Sequence, residues 1–183
     1  MIELSKNQLR KAILSIRNSL LKKEVKQKSE EITQRLEKFS LFKQAKNIFS
    51  YVSFGNEVNT HEIIKKYLGQ KQIIVPITQK EIILCRLNSF DDLKQGRFGI
   101  PEPKTVEKIE YWKIDLALVP GIVFDISGSR IGFGHGYYDQ ILKKMMIPKV
   151  ALCYDFQVKE KIPSDPHDVK MDYIITEKRL IDA

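Results

Sequence analysis

Six short, almost unbroken apolar runs, spaced between amphipathic stretches, constrain the fold of this chain most. They cover residues 47–52 (NIFSYV), 72–77 (QIIVPI), 81–87 (EIILCRL), 114–119 (IDLALV), 149–154 (KVALCY) and 172–176 (DYIIT). Runs of this length and composition are typical of strands that are buried on both faces, as in parallel sheets. Their alternation with helical patterns predicts an α/β fold in which helices cover both faces of a mostly parallel sheet.

The first 46 residues predict a pair of helices. Ser5 and Gln8 have the spacing of a capping box, which marks the start of a helix. The apolar residues of this first helix recur at helical spacing, and its basic residues share a neighbouring stripe: Leu9, Ile13, Ile16 and Leu20, beside Lys6, Arg10 and Arg17. A second helical pattern runs to about Phe42.

The rest of the chain predicts two shorter helices and one long loop. A helix is expected over residues 59–68, with Asn59 and Glu62 as its capping pair, and another over residues 137–146. Residues 88–113 hold two glycines and two prolines and predict an excursion from the sheet. We find no internal repeat and expect residues 1–183 to form a single α/β domain, with residues 1–46 as helices packed on it.

Charge and cysteine content exclude several classes of protein. The chain has 31 Lys and Arg against 23 Asp and Glu, and residues 1–50 alone have 12 against 5, so the basic excess belongs to the helical N-terminal segment. Cys85 and Cys153 form no CxxC pair, which argues against a structural zinc site and a disulfide framework. No apolar run approaches the roughly 20 residues of a membrane helix, and the first residues have no secretory pattern. We therefore expect a cytoplasmic protein with no membrane partner.

The segment of residues 120–139, PGIVFDISGSRIGFGHGYYD, is the strongest candidate for a ligand site. Gly132, Gly134 and Gly136 alternate between a buried-strand pattern and a predicted helix. Glycines let a ligand approach the backbone closely, and the N–H groups at a helix start favour anions, so the segment predicts a phosphate-binding loop. It matches neither a Walker A loop nor the GxGxxG pattern. A tight turn between strand and helix is the simpler interpretation, but a turn needs fewer glycines.

Two acids could hold a metal ion near this loop. Asp139 lies in the first turn of the predicted helix, where it either interacts with the helix N-terminus or binds Mg²⁺ beside phosphates. Asp168 lies in a Pro- and Asp-rich loop, where it either forms a turn or supplies a second carboxylate.

Other candidate residues lie outside the glycine segment. Glu57 directly follows a predicted strand, where parallel sheets bind ligands, although an exposed loop acid is the simpler interpretation. Lys6 and Arg10, four positions apart, either bind phosphate or form a solvated face. Arg17 lies about two turns further along the same helix, so we expect it to be too far away to affect the site. Phe98 either stacks on a flat ring or attaches its loop to the core, and His135 alone indicates little.

Taken together, these residues resemble the signature of a known family, 5-formyltetrahydrofolate cyclo-ligase. The run PGIVFD…GSRIGFGHGYYDQIL carries the resemblance, and four further stretches agree with it in order: KNQLR from Lys6, EVNT from Glu57, GIPEP from residue 99, and IPSDPHDVKMD from residue 162. The resemblance spans nearly the whole chain. Many members have GGG where this chain has Gly134, His135 and Gly136, so no role for His135 is transferred.

The resemblance implies an ATP- and Mg²⁺-dependent cyclisation of 5-formyltetrahydrofolate to 5,10-methenyltetrahydrofolate, with release of ADP and phosphate, on a three-layer α/β/α sandwich. It implies Arg130 and Tyr137 as catalytic residues, and Asp139 and Asp168 as metal ligands. By the same resemblance, the ATP-binding residues are Lys6, Asn7, Gln8, Leu9, Arg10, Arg130, Ile131, Gly132, Phe133, Gly134, His135, Gly136, Tyr137 and Tyr138. The folate-binding residues are Arg10, Glu57, Phe98, Phe133, Gly134, His135, Gly136 and Tyr137.

The chemistry agrees with the residues. A formamide oxygen that has been phosphorylated becomes a leaving group, so the protein needs to align two substrates and spread charge rather than supply a nucleophile. Two alternatives stay open from the residues alone: a phosphate-ligand enzyme such as a sugar-phosphate isomerase or acyl-transferase, and a basic RNA-binding module. We expect small-molecule substrates, no nucleic acid and a monomer.

Overall fold

The computed structural model describes residues 4–79, 81–96 and 99–183. Within them lie five α-helices: α1 (Lys6–Ser19), α2 (Lys22–Lys38), α3 (Ser40–Gln44), α4 (His61–Tyr67) and α5 (Tyr137–Leu142). Short 3₁₀ helices occur at Phe90–Asp92, Tyr111–Lys113 and Asp155–Gln157. The capping box at the start of α1 forms as predicted, because the Ser5 and Gln8 side chains each bond the other's backbone N–H.

Seven strands of the described chain form the main sheet. They are β1 (Asn47–Ser50), β2 (Gln72–Thr78), β3 (Ile82–Leu87), β6 (Leu116–Val119), β9 (Lys149–Leu152), β11 (Tyr173–Ile175) and β12 (Leu180–Asp182). Their order is β12-β11-β9-β6-β1-β2-β3. Neighbouring strands are parallel except at the two edges, where β2 pairs with β3 and β11 with β12 antiparallel. The prediction of an α/β fold with a mostly parallel sheet is confirmed.

Smaller sheets lie beside the main one. A three-stranded sheet has the order β10-β7-β8, formed by β7 (Val123–Asp125), β8 (Arg130–Ile131) and β10 (Val158–Lys159). An antiparallel ribbon joins β4 (Leu93–Gln95) and β5 (Pro101–Pro103), so the excursion predicted over residues 88–113 holds regular structure.

Alternate side chains of the central strands enter two separate cores, which defines three layers. On one face, Ile48 and Leu118 join a cluster with Ile32 and Leu36 of α2 and with residues of α3 and α4. On the other face, Phe49 joins a cluster with residues of α5. The three-layer α/β/α arrangement is therefore present. Helix α1 packs elsewhere: its buried residue Ile13 contacts the three-stranded sheet.

Several boundaries differ from the predictions. The second helix stops at Phe39, whose extended backbone separates α2 from α3 and whose ring packs edge-on against Tyr173. The predicted capping pair of Asn59 and Glu62 is wrong. Thr60 is the N-cap and makes no side-chain capping bond, because its hydroxyl oxygen accepts from the Ser53 N–H, although the Asn59 side chain accepts from the His61 N–H. The segment of residues 172–176 is not the last strand, since β12 follows it.

The topology places a ligand site at one point of the main sheet. From β1 the chain builds outward through β2 and β3, and then in the opposite direction through β6, β9 and β11. The carboxyl ends of β1 and β6 therefore flank the switch point, where open α/β sheets bind ligands. No helix in the described ranges is both long and apolar enough to cross a membrane.

Candidate functional site

A pocket of about 690 Å³ opens at this switch point, a volume typical of small-molecule sites. Tyr51, Phe54 and Glu57 reach it from the loop after β1, and Pro120 from the end of β6. The whole stretch of residues 130–139 also lines the pocket, as do Lys6 and Arg10 of α1 and Asp165, His167 and Asp168 of a C-terminal loop. The fold thus brings together segments from both ends of the chain.

The three alternating glycines of the loop are required for two different structural reasons. Gly134 and Gly136 have φ angles of 99° and 69°, which a side chain would strain. Gly136 is the N-cap of α5. A Cβ at Gly132 would lie 2.8 Å from the Arg130 guanidinium, so this glycine makes room for that side chain. The helix after the loop has only six residues, fewer than expected, so the backbone of the loop matters more here than a helix dipole.

Arg130 and Asp139 form an ion pair beneath the loop. The Arg130 Nη2 donates to Asp139 Oδ1 at 2.9 Å, and Asp139 Oδ1 also accepts from the Val169 N–H. The Arg130 side chain is buried, and its Nε has no hydrogen-bond partner among the described residues. The ion pair fixes the Arg130 guanidinium in one place at the pocket wall.

Lys6 joins α1 to the C-terminal loop at the rim of the pocket. Its Nζ lies 2.6 Å from Asp165 Oδ2 and 2.5 Å from Asp168 Oδ2. Burial by itself favours the neutral amine, but the hydrogen bonds to the two carboxylates raise the pKa of Lys6. Burial also opposes ionisation of Asp168, yet hydrogen bonds from the Asp165 N–H and from Lys6 lower the pKa of Asp168. Lys6 and Asp168 are therefore both charged at neutral pH.

Arg10 links α1 to the glycine loop. Its Nε donates to the Gly132 carbonyl at 2.8 Å, and its Nη1 donates to the Asn7 side chain. The structure does not bring the other α1 residues with an implied ATP contact to the pocket lining. Gln8 is occupied in the capping box, and Leu9 packs against the core that α1 covers. Asn7 is connected to the site through the hydrogen bond that its side chain accepts from Arg10.

Glu57 lies at the opposite end of the pocket from solvent, with 5% of its surface exposed. Its Oε2 accepts from the Phe54 N–H at 3.2 Å. Burial raises the pKa of Glu57 to about 7, although Arg17 and the Phe54 N–H act in the opposite direction. The simpler interpretation of an exposed loop acid is therefore wrong. A buried carboxylate of this kind accepts hydrogen bonds from a bound ligand.

Aromatic rings line the space between the two ends. Phe54 and Phe133 lie 5.8 Å apart, and His135 stacks on Tyr137 at 5.7 Å. Tyr138 stacks on Phe49 of the core. Phe98, the other aromatic residue with an implied folate contact, lies outside the described residues. The walls suit a flat ring system.

The acids of the pocket fit a hard cation. Asp165, His167 and Asp168 have ligand atoms within 4.8 Å of one another, whereas Asp139 is not part of this group. The hydrogen bonds found for Asp139 among the described residues all use Oδ1, so Oδ2 adds a carboxylate oxygen to the lining. Carboxylate oxygens next to a phosphate-binding loop are the donors that Mg²⁺ prefers. The pairing of Asp168 with Lys6 was not foreseen from the sequence.

Arg17 lies directly behind the pocket, next to Glu57, and sequence reasoning missed this position. From the stripe it shares with Lys6 and Arg10, we expected it to lie too far along α1 to affect the site. Instead it is buried, with Nη1 4.0 Å from Glu57 Oε1, while Ile16 beside it is exposed. Its position four residues after Ile13, on the face that packs inward, was the available signal.

Comparisons with known proteins agree with this geometry. The model of the 5-formyltetrahydrofolate cyclo-ligase family matches residues 2–177. The 5-formyltetrahydrofolate cyclo-ligase of Mycoplasma pneumoniae is 34% identical over 96% of this chain and 100% of that protein. The enzyme of the same name from Haemophilus influenzae is 32% identical over 91% of this chain and 94% of its own length. The NMR structure of Aquifex aeolicus 5,10-methenyltetrahydrofolate synthetase has a TM-score of 0.89 and 36% identity, covering 97% of this chain and 92% of that one.

Proposed function

The chain belongs to the 5-formyltetrahydrofolate cyclo-ligase family, and from that premise we propose that the large pocket binds 5-formyltetrahydrofolate and ATP side by side. The enzyme cyclises 5-formyltetrahydrofolate to 5,10-methenyltetrahydrofolate and converts ATP to ADP and phosphate. The observation that supports the shared pocket is its lining: one cavity holds the buried Glu57 carboxylate and several aromatic rings, and also the cations Lys6 and Arg10 with the glycine loop. Family membership favours this activity over a sugar-phosphate isomerase, an acyl-transferase or an RNA-binding module.

The folate ring binds at the Glu57 end. The pterin part of the substrate is flat and carries adjacent N–H donors, which a buried carboxylate matches with two charge-assisted hydrogen bonds. Phe133 and Tyr137 supply apolar contact for the ring, and the backbone of Gly134, His135 and Gly136 approaches it closely. Phe98 is proposed for the same wall from the resemblance.

The ATP phosphates bind along the glycine loop. Backbone N–H groups between Gly132 and Tyr138 face the pocket where no side chain intervenes at the glycines. Lys6 and Arg10 supply mobile cations from α1, and Arg130 supplies a buried one. Of the implied α1 residues, Lys6 and Arg10 contact ATP directly in this proposal, whereas Asn7, Gln8 and Leu9 act by supporting them.

The reaction needs alignment rather than a protein nucleophile. The formyl oxygen on N5 attacks the γ-phosphorus, the bond from that phosphorus to the β–γ bridging oxygen breaks, and ADP leaves. N10 then attacks the formyl carbon, the carbon–oxygen bond breaks, and phosphate leaves with the N10 proton. Arg130 stabilises charge on the transferred group, and Tyr137 positions the formyl group.

We assign Asp139 and Asp168 as the residues that hold Mg²⁺, with Asp165 available beside Asp168. The ion supplies charge neutralisation on the phosphates when it is bound. Before it binds, Lys6 neutralises Asp168, so this lysine moves to a phosphate when the ligands enter.

Residues 1–183 form a single domain that works as a monomer in the cytoplasm, in the same proposal. Helices of the N-terminal segment share their cores with the main sheet and with the three-stranded sheet, which supports one domain. Both cysteines are free and buried, as suits a reducing compartment. The substrates are small molecules, not nucleic acid or lipid.

An absorbance assay tests the proposal. Methenyl-folate absorbs where 5-formyltetrahydrofolate does not, so we expect its appearance to require both ATP and Mg²⁺. Product formation without ATP, or none with both substrates present, would overturn the proposal.

A further inference from the structure

Arg17 is a buried cation that lies behind the pocket rather than in it. It is 4% exposed, and its Nη1 donates to the Gly121 carbonyl at 3.3 Å. Its Nε has no hydrogen-bond partner among the described residues. Burying an arginine with so few hydrogen bonds is costly, so the fold gains something specific from its charge.

Arg17 is close enough to Glu57 for a charge interaction but not for a hydrogen bond. At 4.0 Å, Nη1 is near enough to favour the ionised carboxyl but too far to form a hydrogen bond with Oε1. The Gly121 carbonyl keeps the guanidinium where it is. Oε1 therefore stays able to accept a hydrogen bond from a ligand, while the nearby positive charge favours the ionised carboxyl that strengthens such a bond.

Two further contacts connect Arg17 to the pocket wall. The guanidinium carbon lies 5.6 Å from the centre of the Phe133 ring, in the glycine loop. The side chain of Asn56, the residue before Glu57, donates to the carbonyls of Arg17 and Leu20. The end of α1 and the Glu57 loop thus form one unit.

We propose that Arg17 is a positioning residue for the folate substrate: it favours the ionised form of Glu57, leaves Oε1 of that carboxyl as a vacant acceptor, and holds Phe133 beside it. This inference rests on the proposed function, in which Glu57 binds the pterin.

The experiment follows the ionisation of Glu57 near neutral pH through its effect on the binding of 5-formyltetrahydrofolate. Besides Arg17 of α1, the ionisable groups that interact with Glu57 in the described part of the chain are Tyr51 after β1, Tyr138 of α5 and Tyr154 after β9. Burial raises the pKa of each of these tyrosines, that of Tyr154 to about 12, so they stay neutral between about pH 6 and about pH 9.

The experiment measures the dissociation constant of 5-formyltetrahydrofolate by calorimetry without ATP, from about pH 6 to about pH 9. Binding by the wild type should strengthen as pH rises through the Glu57 pKa of about 7. Arg17→Gln keeps a donor for the Gly121 carbonyl but removes the charge, and it should move this midpoint upward by at least about one pH unit. Arg17→Lys keeps the charge, so its midpoint should stay near that of the wild type.

The matched control is Arg35→Met, since Arg35 of α2 also joins a helix to the sheet. Its hydrogen bonds within the described ranges go to the Thr176 and Glu177 carbonyls, neither of which lines the pocket. It should lower the melting temperature and leave the midpoint unchanged. Should Arg17→Gln fail to fold, Arg17→Met makes the same charge change with an apolar side chain.

Two outcomes would overturn the inference: an unchanged midpoint in the neutral Arg17 variant, or equal weakening at every pH in both the neutral and the lysine variant. Glu57→Gln tests the premise separately. If that variant keeps wild-type affinity and the same pH profile, Glu57 does not bind the pterin and the proposed function itself is wrong at this end of the pocket.

Discussion

The two ends of the pocket hold charges in opposite ways. At the rim, Lys6 makes two short contacts with Asp165 and Asp168, with side chains that are 27%, 53% and 15% exposed. At the inner end, the side chains of Arg17 and Glu57 are both 5% exposed, and Nη1 lies 4.0 Å from Oε1. The shorter contacts are the easier to exchange, because water and phosphate can replace them. The longer one has no substitute, since a buried charge left alone is strongly unfavourable.

The difference shows that the distance between two charged atoms does not by itself tell how easily their interaction can be replaced. Rim pairs suit a region where ligands enter and cations change partners, whereas the inner pair suits a region that is built before the ligand arrives. Each substitution proposed here alters one of these two regions, and the other region serves as the comparison.

Asp139→Asn should have the largest effect, because it removes both the partner of buried Arg130 and a proposed Mg²⁺ ligand. We expect turnover to fall by at least about a hundredfold and the melting temperature to drop. Asp172→Asn, which alters an exposed acid paired with Lys149, is the control and should change neither. Near wild-type turnover of Asp139→Asn at limiting Mg²⁺ would refute the metal assignment.

Arg10→Ala should weaken binding of both ATP and 5-formyltetrahydrofolate by about ten- to a hundredfold, the loss of a charge-assisted contact at each. We expect this effect because Arg10 donates a hydrogen bond to the glycine loop, which both substrates contact in our proposal. Titration of each ligand measures the effect, and Lys11→Ala, on the exposed side of the same helix, is the control. Equal and small effects of the two substitutions would mean that α1 is only a solvated basic face.

Glu57 should make the free protein less stable as pH rises. Between its ordinary pKa of 4.5 and its folded pKa of about 7, the folded protein keeps a proton that the unfolded chain has lost. The free energy of unfolding should therefore fall by about 1.4 kcal/mol for each pH unit in that interval. Urea unfolding across it should show this slope reduced in Glu57→Gln and retained in Glu62→Gln, whose carboxyl is exposed. An identical slope in all three proteins would contradict the buried charge.

Lys6→Ala should have the smallest effect and the clearest dependence on salt. In the wild type, raising the ionic strength should increase the KM for ATP several-fold, since charges at the rim are screened. The substitution should raise this KM at low salt and flatten its response to salt, while the KM for folate changes little. A salt response equal to that of the wild type would show that Lys6 does not meet phosphate.

The same contrast explains how much could be predicted from sequence. The buried strands and the glycine loop were predictable, because unbroken apolar runs and closely spaced glycines have few other uses. The two-residue strands β8 and β10 are too short to show a periodicity and were missed. The Thr60 cap and the placement of Arg17 were missed because both depend on which backbone the tertiary fold brings near. Lys6 and Asp168 were each named, but their pairing is invisible until the chain ends meet.

The bond between Lys6 and Asp168 joins residues 162 positions apart. During synthesis, α1 leaves the ribosome long before the loop that completes the rim, and the edge strands β11 and β12 follow that loop. The rim of the pocket therefore cannot form until every segment from α1 to this loop has been synthesised. A chain released before this loop lacks the acids opposite Lys6, so its rim stays incomplete whatever else has folded.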